Sequence, residues 1–339
     1  MMELRSVVKT YASTGGKGLF KALDGISARF AEGELTVILG PSGSGKSTLL
    51  RLLNRMIEPD SGEVLIDGEP ANSIDPVALR RRTGYVIQNV GLFPHMSVAG
   101  NISVVPSLLG WNKDRIRARV RELLDLVRLP RNFAERRPHQ LSGGEAQRVG
   151  VARALAADPK VLLMDEPFGA LDALTRENLQ DEFARIQKEL RKTVIFVTHD
   201  VGEAVRLADT VLVMKGGRLA GMGTPAQLAR NFNGTFVQEF LGTRFELELL
   251  GRETVAFLAD FSPDGAKRAA NLVPADPTAT ATTAGSAELH AAPLSADATL
   301  RDALALMLAT GSTAIAVAGA GGSQGRLDLE TIVLGRKPV

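Results

Sequence analysis

One eight-residue stretch limits what this chain can be. Gly40-Pro41-Ser42-Gly43-Ser44-Gly45-Lys46-Ser47 fits the pattern G-x-x-x-x-G-K-[ST]. It stands between residues 34–39 (ELTVIL), an apolar run of strand-favouring residues, and the helical pattern KSTLLRLLNRMI that starts at Lys46. Strand, glycine loop and helix together aim consecutive backbone N–H groups and the positive end of a helix at phosphate oxygens. In that setting Lys46 would reach β- and γ-phosphates and the Ser47 hydroxyl would ligate Mg²⁺, with Gly40, Pro41, Ser42, Gly43, Ser44, Gly45 and Thr48 completing the cradle.

A second apolar run, VLLMDEP at residues 161–167, ends in two carboxylates. Asp165, where a strand's carboxyl end would meet the phosphates, suits the Mg²⁺ shell, and Glu166 beside it is placed to polarise an attacking water. A third run at 194–197 also ends in polar residues, and between the last two Leu179, Phe183, Ile186 and Leu190 recur at helical spacing. Strand, helix, strand predicts a right-handed crossover in a parallel sheet covered by helices. From residue 97 to 155 the pattern is mostly helical, with Ile116, Val120, Leu123 and Val127 as an apolar stripe and Arg115, Arg117, Arg119 and Arg121 predicted to face away. A helical subdomain (about 97–157) inserted into an α/β core is expected.

Leu141-Ser142-Gly143-Gly144-Glu145 offers another set of free N–H groups before the helical stretch AQRVGVARAL. One phosphate tail does not need two cradles from one subunit.

At these residues the chain, over 1 to about 241, resembles the nucleotide-binding subunits of ABC transporters: a P-loop, an LSGG(Q/E) signature and an aspartate-glutamate strand end in that order. The resemblance implies a head-to-tail pair in which Ser142, Gly143, Gly144 and Glu145 of one copy close over ATP held by Lys46 of the other, with Asp172 (GALD) at the boundary. It implies that Gln88 (YVIQN) senses the γ-phosphate and Mg²⁺, that His199 (VTHD) contacts the γ-phosphate and orients water, and that Tyr11 stacks on adenine. The metal set is then Ser47, Gln88 and Asp165. Gly169 stands where the family often has serine. The stretches GYVIQNVGLFPHMSVAGNISVVPSLLGW and VTHDVGEAVRLADTVLVMKGGRLAGMGTPAQL are similar to the ATPases of glycine betaine, carnitine or choline importers; polyamine, methionine and sulfonate importers have related ATPases and stay open. Phe93, Pro94, His95 and Met96 lie where the family receives a helix of the permease. A soluble relative acting on ribosomes or DNA usually joins two ATPase units or inserts a long coiled coil, and this sequence has one unit and no sustained heptads.

Composition agrees. Hydrophobic residues make up 45% and charged residues 23% of the chain, the balance of a globular protein. A formal net charge of +2 supplies no field to hold nucleic acid. The absence of cysteine excludes disulfides, thiolate zinc and a thiol nucleophile. No apolar stretch approaches the ~20 residues of a membrane span, so the resemblance implies a separate integral permease and, outside the cell, a solute-binding protein, with this chain peripheral on the cytoplasmic face of the inner membrane.

Residues 242–293 read as a connecting segment and a linker of small and polar residues. Residues 294–339 resume periodicity: Leu300, Ala303, Leu304, Met307 and Leu308 suit a helix and 314–317 a strand. They resemble one CBS motif, degenerate because Asp328 and Thr331 replace the hydroxyl and the ribose-binding acid of its nucleotide-binding pattern. A carboxylate there repels phosphate, so support of a dimer or a vestige is expected, with ionic-strength sensing as the further option.

Overall fold

The computed structural model describes residues 1–12, 18–88, 90–169, 171–232, 235–251, 259, 293–310, 312–319 and 323–334. The chain divides into two compact units, Met1–Gly242 and Thr243–Val339.

The first unit opens on strands that sequence patterning does not single out: β1 (Met2–Ala12) and β2 (Leu19–Phe30). Then come β3 (Leu35–Leu39), α1 (Lys46–Leu53), β4 (Ser61–Ile66), β5 (Glu69–Pro70), α2 (Pro76–Arg82) and β6 (Thr83–Val86). The helical stretch consists of α3 (Val98–Leu108), α4 (Lys113–Leu126) and α5 (Gly143–Leu155). The chain returns through β7 (Val161–Asp165), α6 (Ala173–Leu190), β8 (Thr193–Val197), α7 (Val201–Leu207), β9 (Thr210–Lys215), β10 (Arg218–Gly223) and α8 (Pro225–Asn231) to α9 (Phe236–Leu250), which is broken at Gly242.

Two sheets result. An antiparallel one has the order β2-β1-β4-β5, and a six-stranded one has the order β10-β9-β3-β8-β7-β6, in which β9, β3, β8, β7 and β6 run parallel. All five residues of β3 and of β8 are buried, because elements cover both faces, which is why these strands read as continuous apolar runs. Side chains of both sheets and of α1 share one core, with Phe30, Ile38, Leu49 and Leu212 wholly inside. Since the parallel strands point one way, the chain leaving β6, β7, β8 and β3 emerges along one edge of the sheet, in that spatial order.

On α4 and α6 the apolar stripes face inward as the periodicity predicts: Val120, Leu123, Val127, Leu179, Phe183 and Ile186 are buried. Arg119 does not face away. Its guanidinium donates to the carbonyls of Leu155 (2.9 Å) and Ala156 (3.3 Å), closing the end of α5. From α6, Glu182, only 6% exposed, pairs with Arg148 of α5, and Arg185 donates to the Leu126 carbonyl at 2.7 Å.

The second unit contains β11 (Leu294–Ser295), α10 (Leu300–Thr310), β12 (Ala314–Ala318), β13 (Gln324–Asp328) and α11 (Leu329–Leu334). Its sheet has the order β11-β12-β13, with the first pair parallel and the second antiparallel. Leu300, Ala303, Met307, Val317 and Leu327 form its core. Leu308, read as an inner position, is 74% exposed, and Leu306 packs on the core instead. Asp328 is engaged by Arg326 at 2.7 Å. The expected linker falls almost wholly outside the described residues.

Candidate nucleotide site

The turn after β3 needs its glycines for geometric reasons. Gly43 and Gly45 have φ of 76° and 102°, and a Cβ on Gly45 would come within 2.3 Å of the Ala22 carbonyl oxygen. Backbone N–H groups at the start of α1 are thereby turned outward, with no side-chain cap on them. Lys46 folds back over the turn and donates from Nζ to the carbonyls of Gly40 (2.8 Å) and Pro41 (3.0 Å). It is only 8% exposed. Burial lowers its pKa, and the carboxylates of Glu166 and Asp165 act against that shift.

Ser42, Gly43, Ser44, Gly45, Lys46, Ser47 and Thr48 line an open cleft of about 380 Å³ together with Tyr11, Phe20, Ala22, Glu166 and His199. Tyr11 and Phe20 are direct partners in the β1–β2 register and stand 39% and 52% exposed on the same face of the hairpin. The structure thus brings Tyr11 to the loop 30 residues downstream, and it adds Phe20, which no local signal could find because its placement depends on the hairpin register.

The carboxylates follow β7. Asp165 is 3.4 Å from the Ser47 hydroxyl. Burial raises its pKa first of all, the Ser47 hydroxyl opposes this, the neighbouring Glu166 adds to it, and Arg51 and Lys46 oppose it. A half-buried carboxylate and a hydroxyl side by side fit Mg²⁺, a cation that keeps several waters and takes only one or two protein oxygens besides phosphate. Glu166 has left-handed backbone, φ 43°, secured by its N–H bond to the Val197 carbonyl at 2.9 Å. That kink carries its carboxylate into the cleft, where Gln88 Nε2 donates to one oxygen at 2.8 Å and His199 Nδ1 lies 3.1 Å from the other. A Cβ added at Gly169 would sit 3.6 Å from Glu166 Oε2, ordinary contact, so the glycine is not forced by space.

Ser142, Gly143, Gly144, Glu145 and Asp172 are not among the residues lining this cleft. Ser142 caps α5: its hydroxyl accepts from the Glu145 N–H at 3.3 Å while the Glu145 carboxylate accepts the Ser142 N–H at 2.7 Å. This corrects the expectation that the serine's N–H is free. Glu145 satisfies it, and its pKa is held below the usual value mainly by that bond. The N–H groups of Gly143 and Gly144 are left facing outward at the helix start. Asp172 caps α6 by accepting from the Thr175 N–H at 3.0 Å.

A parallel sheet whose strand ends supply a glycine cradle with lysine, a serine-aspartate pair and a glutamate held by glutamine and histidine defines a P-loop nucleoside-triphosphate-binding protein. The profile of the ABC transporter family matches residues 23–169. The choline transport ATP-binding protein OpuBA of Bacillus subtilis is 51% identical over 71% of this chain, which covers 62% of that relative's length, less than two thirds. The glycine betaine uptake system ATP-binding protein YehX of Escherichia coli is 48% identical over 76% of this chain and 82% of its own length. Among solved structures, a dimeric post-hydrolysis state of the ATP-binding cassette MJ0796 bound to ADP and Pi has a TM-score of 0.59 and 35% identity, covering 66% of this chain and 98% of that one. The chain belongs to the family of ABC transporter ATP-binding subunits.

Proposed function

We propose that the chain hydrolyses ATP to power an importer of glycine betaine, choline, carnitine or a similar quaternary amine osmoprotectant. The observation that carries the reading is Glu166, held between Gln88 and His199 at the mouth of the lysine-bearing cleft. Such a carboxylate is placed to take a proton from water attacking the γ-phosphate, while Gln88 and His199 fix its two oxygens. Lys46 exchanges its loop carbonyls for the β- and γ-phosphate oxygens, and the N–H groups of residues 42–48 take the remaining charge. Tyr11, with Phe20 beside it, provides the face for adenine. Ser47 and Asp165, with Gln88 nearby, would hold Mg²⁺, which supplies charge neutralisation on the phosphates.

The outward N–H groups of Gly143 and Gly144 and the Ser142 hydroxyl belong, in this reading, to the site of a second copy packed head to tail, with Glu145 bracing the turn and Asp172 at the boundary. The names of the relatives and the dimeric state of the MJ0796 structure support it. No helix among the described residues is long and apolar enough to cross a membrane. We therefore assign the membrane path to a separate permease, fed by a solute-binding protein outside and contacting residues 93–96, with this chain peripheral on the cytoplasmic face. The boundaries 1–241, 242–293 and 294–339 are part of the proposal. So is a single CBS-like motif in the last segment, supported by the succession β11, α10, β12, β13, α11.

Uptake of labelled glycine betaine by salt-stressed cells lacking the chain tests the substrate. Undiminished uptake in a strain with no other importer would sink the osmoprotectant assignment.

A further inference from the structure

Val90 and Gly91, two and three residues after Gln88, form a segment held in a backbone conformation that Val90 would not choose. Val90, a β-branched residue, stands at φ 46° and Gly91 at φ 54°, a left-handed region where such a side chain is an outlier. Two features of α5 keep it there. Arg153 spreads its guanidinium over the segment, with Nη1 donating to the Gly91 carbonyl at 2.6 Å and Nη2 to the Val90 carbonyl at 2.7 Å. Gly150, nearly one turn earlier, leaves the room: a Cβ on it would come within 2.9 Å of Val90 Cγ1. From the other side Asn101 of α3, fully buried, accepts the Phe93 N–H at 2.7 Å and donates to the carbonyls of Phe93 (3.2 Å) and Ser97 (3.0 Å). The near end of the same segment is Gln88, bonded to Glu166 after β7.

We propose that Arg153 is a positioning residue for ATP hydrolysis: its two-pronged grip on Val90 and Gly91 sets where Gln88 stands against Glu166. Arg153 does not line the nucleotide cleft, so it acts through the segment and not on ATP. A lysine in its place presents one point charge and cannot span both carbonyls. The inference rests on the ATPase reading above.

The test is a double-mutant cycle on the full chain, measuring steady-state ATP turnover, KM for ATP and melting temperature for wild type, Arg153→Met, Arg153→Lys, Gln88→Ala and Arg153→Met with Gln88→Ala. Arg153→Met is expected to lower kcat about 10-fold with KM little changed, and Arg153→Lys to fall between it and wild type. In the Gln88→Ala background Arg153→Met should cost nothing further, because the far end of the grip is already gone. Losses that multiply in the double variant, or an Arg153→Met protein that turns over like wild type, overturn the inference. Should Arg153→Met fail to fold, Arg153→Lys completes the same cycle. Wild-type protein without ATP turnover would instead remove the ATPase reading beneath it.

Discussion

Gln88 Nε2 donates to Glu166 Oε2 at 2.8 Å across 78 residues of chain, and this bond fixes one edge of the carboxylate whose other oxygen faces His199. Substituting Glu166→Gln keeps the shape and removes the basicity. Hydrolysis should fall by about 10²–10⁴-fold, the usual worth of a positioned general base, while ATP still binds and the protein accumulates as an ATP-bound dimer. Phosphate release and gel filtration with ATP read both effects, and normal turnover in the variant would refute the role.

Head-to-tail pairing predicts complementation. Lys46→Ala damages a chain's own site, whereas Ser142→Asp damages its partner's by setting a carboxylate against the γ-phosphate, although aspartate still caps α5. Each variant alone should be inactive. Mixed one to one, every heterodimer has one site with both defects and one with neither, so roughly a quarter of wild-type turnover per chain should return when copies exchange freely. No recovery on mixing argues against the shared site.

Asp165 carries a pH signature. Its pKa in the folded chain lies above the ordinary aspartate value, chiefly through burial, so the folded chain binds a proton more tightly than the unfolded one, and stability is lost as pH rises from the unfolded pKa through the folded one. Asp165→Asn removes that cost. Without nucleotide its melting temperature should match wild type below about pH 4, rise above it as pH climbs through the folded pKa and keep that excess up to neutral pH, while Mg²⁺-dependent ATP turnover is lost. Scanning fluorimetry across that range decides it; a variant less stable than wild type at neutral pH contradicts the account.

Asn101 is wholly buried, and its amide serves the backbone of residues 93–97. Asn101→Ala leaves the Phe93 N–H and the carbonyls of Phe93, Met96 and Ser97 without that partner, which should lower unfolding free energy by about 2–3 kcal/mol. Urea unfolding measures it, and a loss below about 0.5 kcal/mol would show that water replaces the amide.

Much of the nucleotide cleft was legible because phosphate binding is a local problem. Consecutive N–H groups must converge, so the glycines, Lys46 and Ser47 had to be neighbours in sequence, and Asp165 and Glu166 announce themselves at the end of an apolar strand. The antiparallel sheet was not legible. Shifts of register between Leu4 and Val7 and between Val7 and Thr10, and left-handed backbone at Ser6, break the two-residue alternation by which β1 would be known. With β1 and β2 unseen, Phe20 had no reason to be singled out. Arg119 was misplaced for a related reason: helical spacing gives a side chain's direction, but its reach to the Leu155 and Ala156 carbonyls depends on where α5 ends.

By itself the sequence determined which residues make the glycine turn and the strand-end carboxylates, which runs are inner strands, and the family to which these motifs are similar. Only the tertiary structure decided that β6, β7, β8 and β3 lie side by side, so that Gln88, Glu166, His199 and the lysine turn fall along one edge. It also decided that Glu145 is spent on the Ser142 N–H, and that Arg153 and Asn101 hold the segment between Gln88 and α3. The division has a physical cause. A helix start or a glycine turn is made by bonds among near neighbours, whereas a carboxylate aligned for water needs groups from distant parts of the chain, and their meeting is fixed by the order in which strands pack.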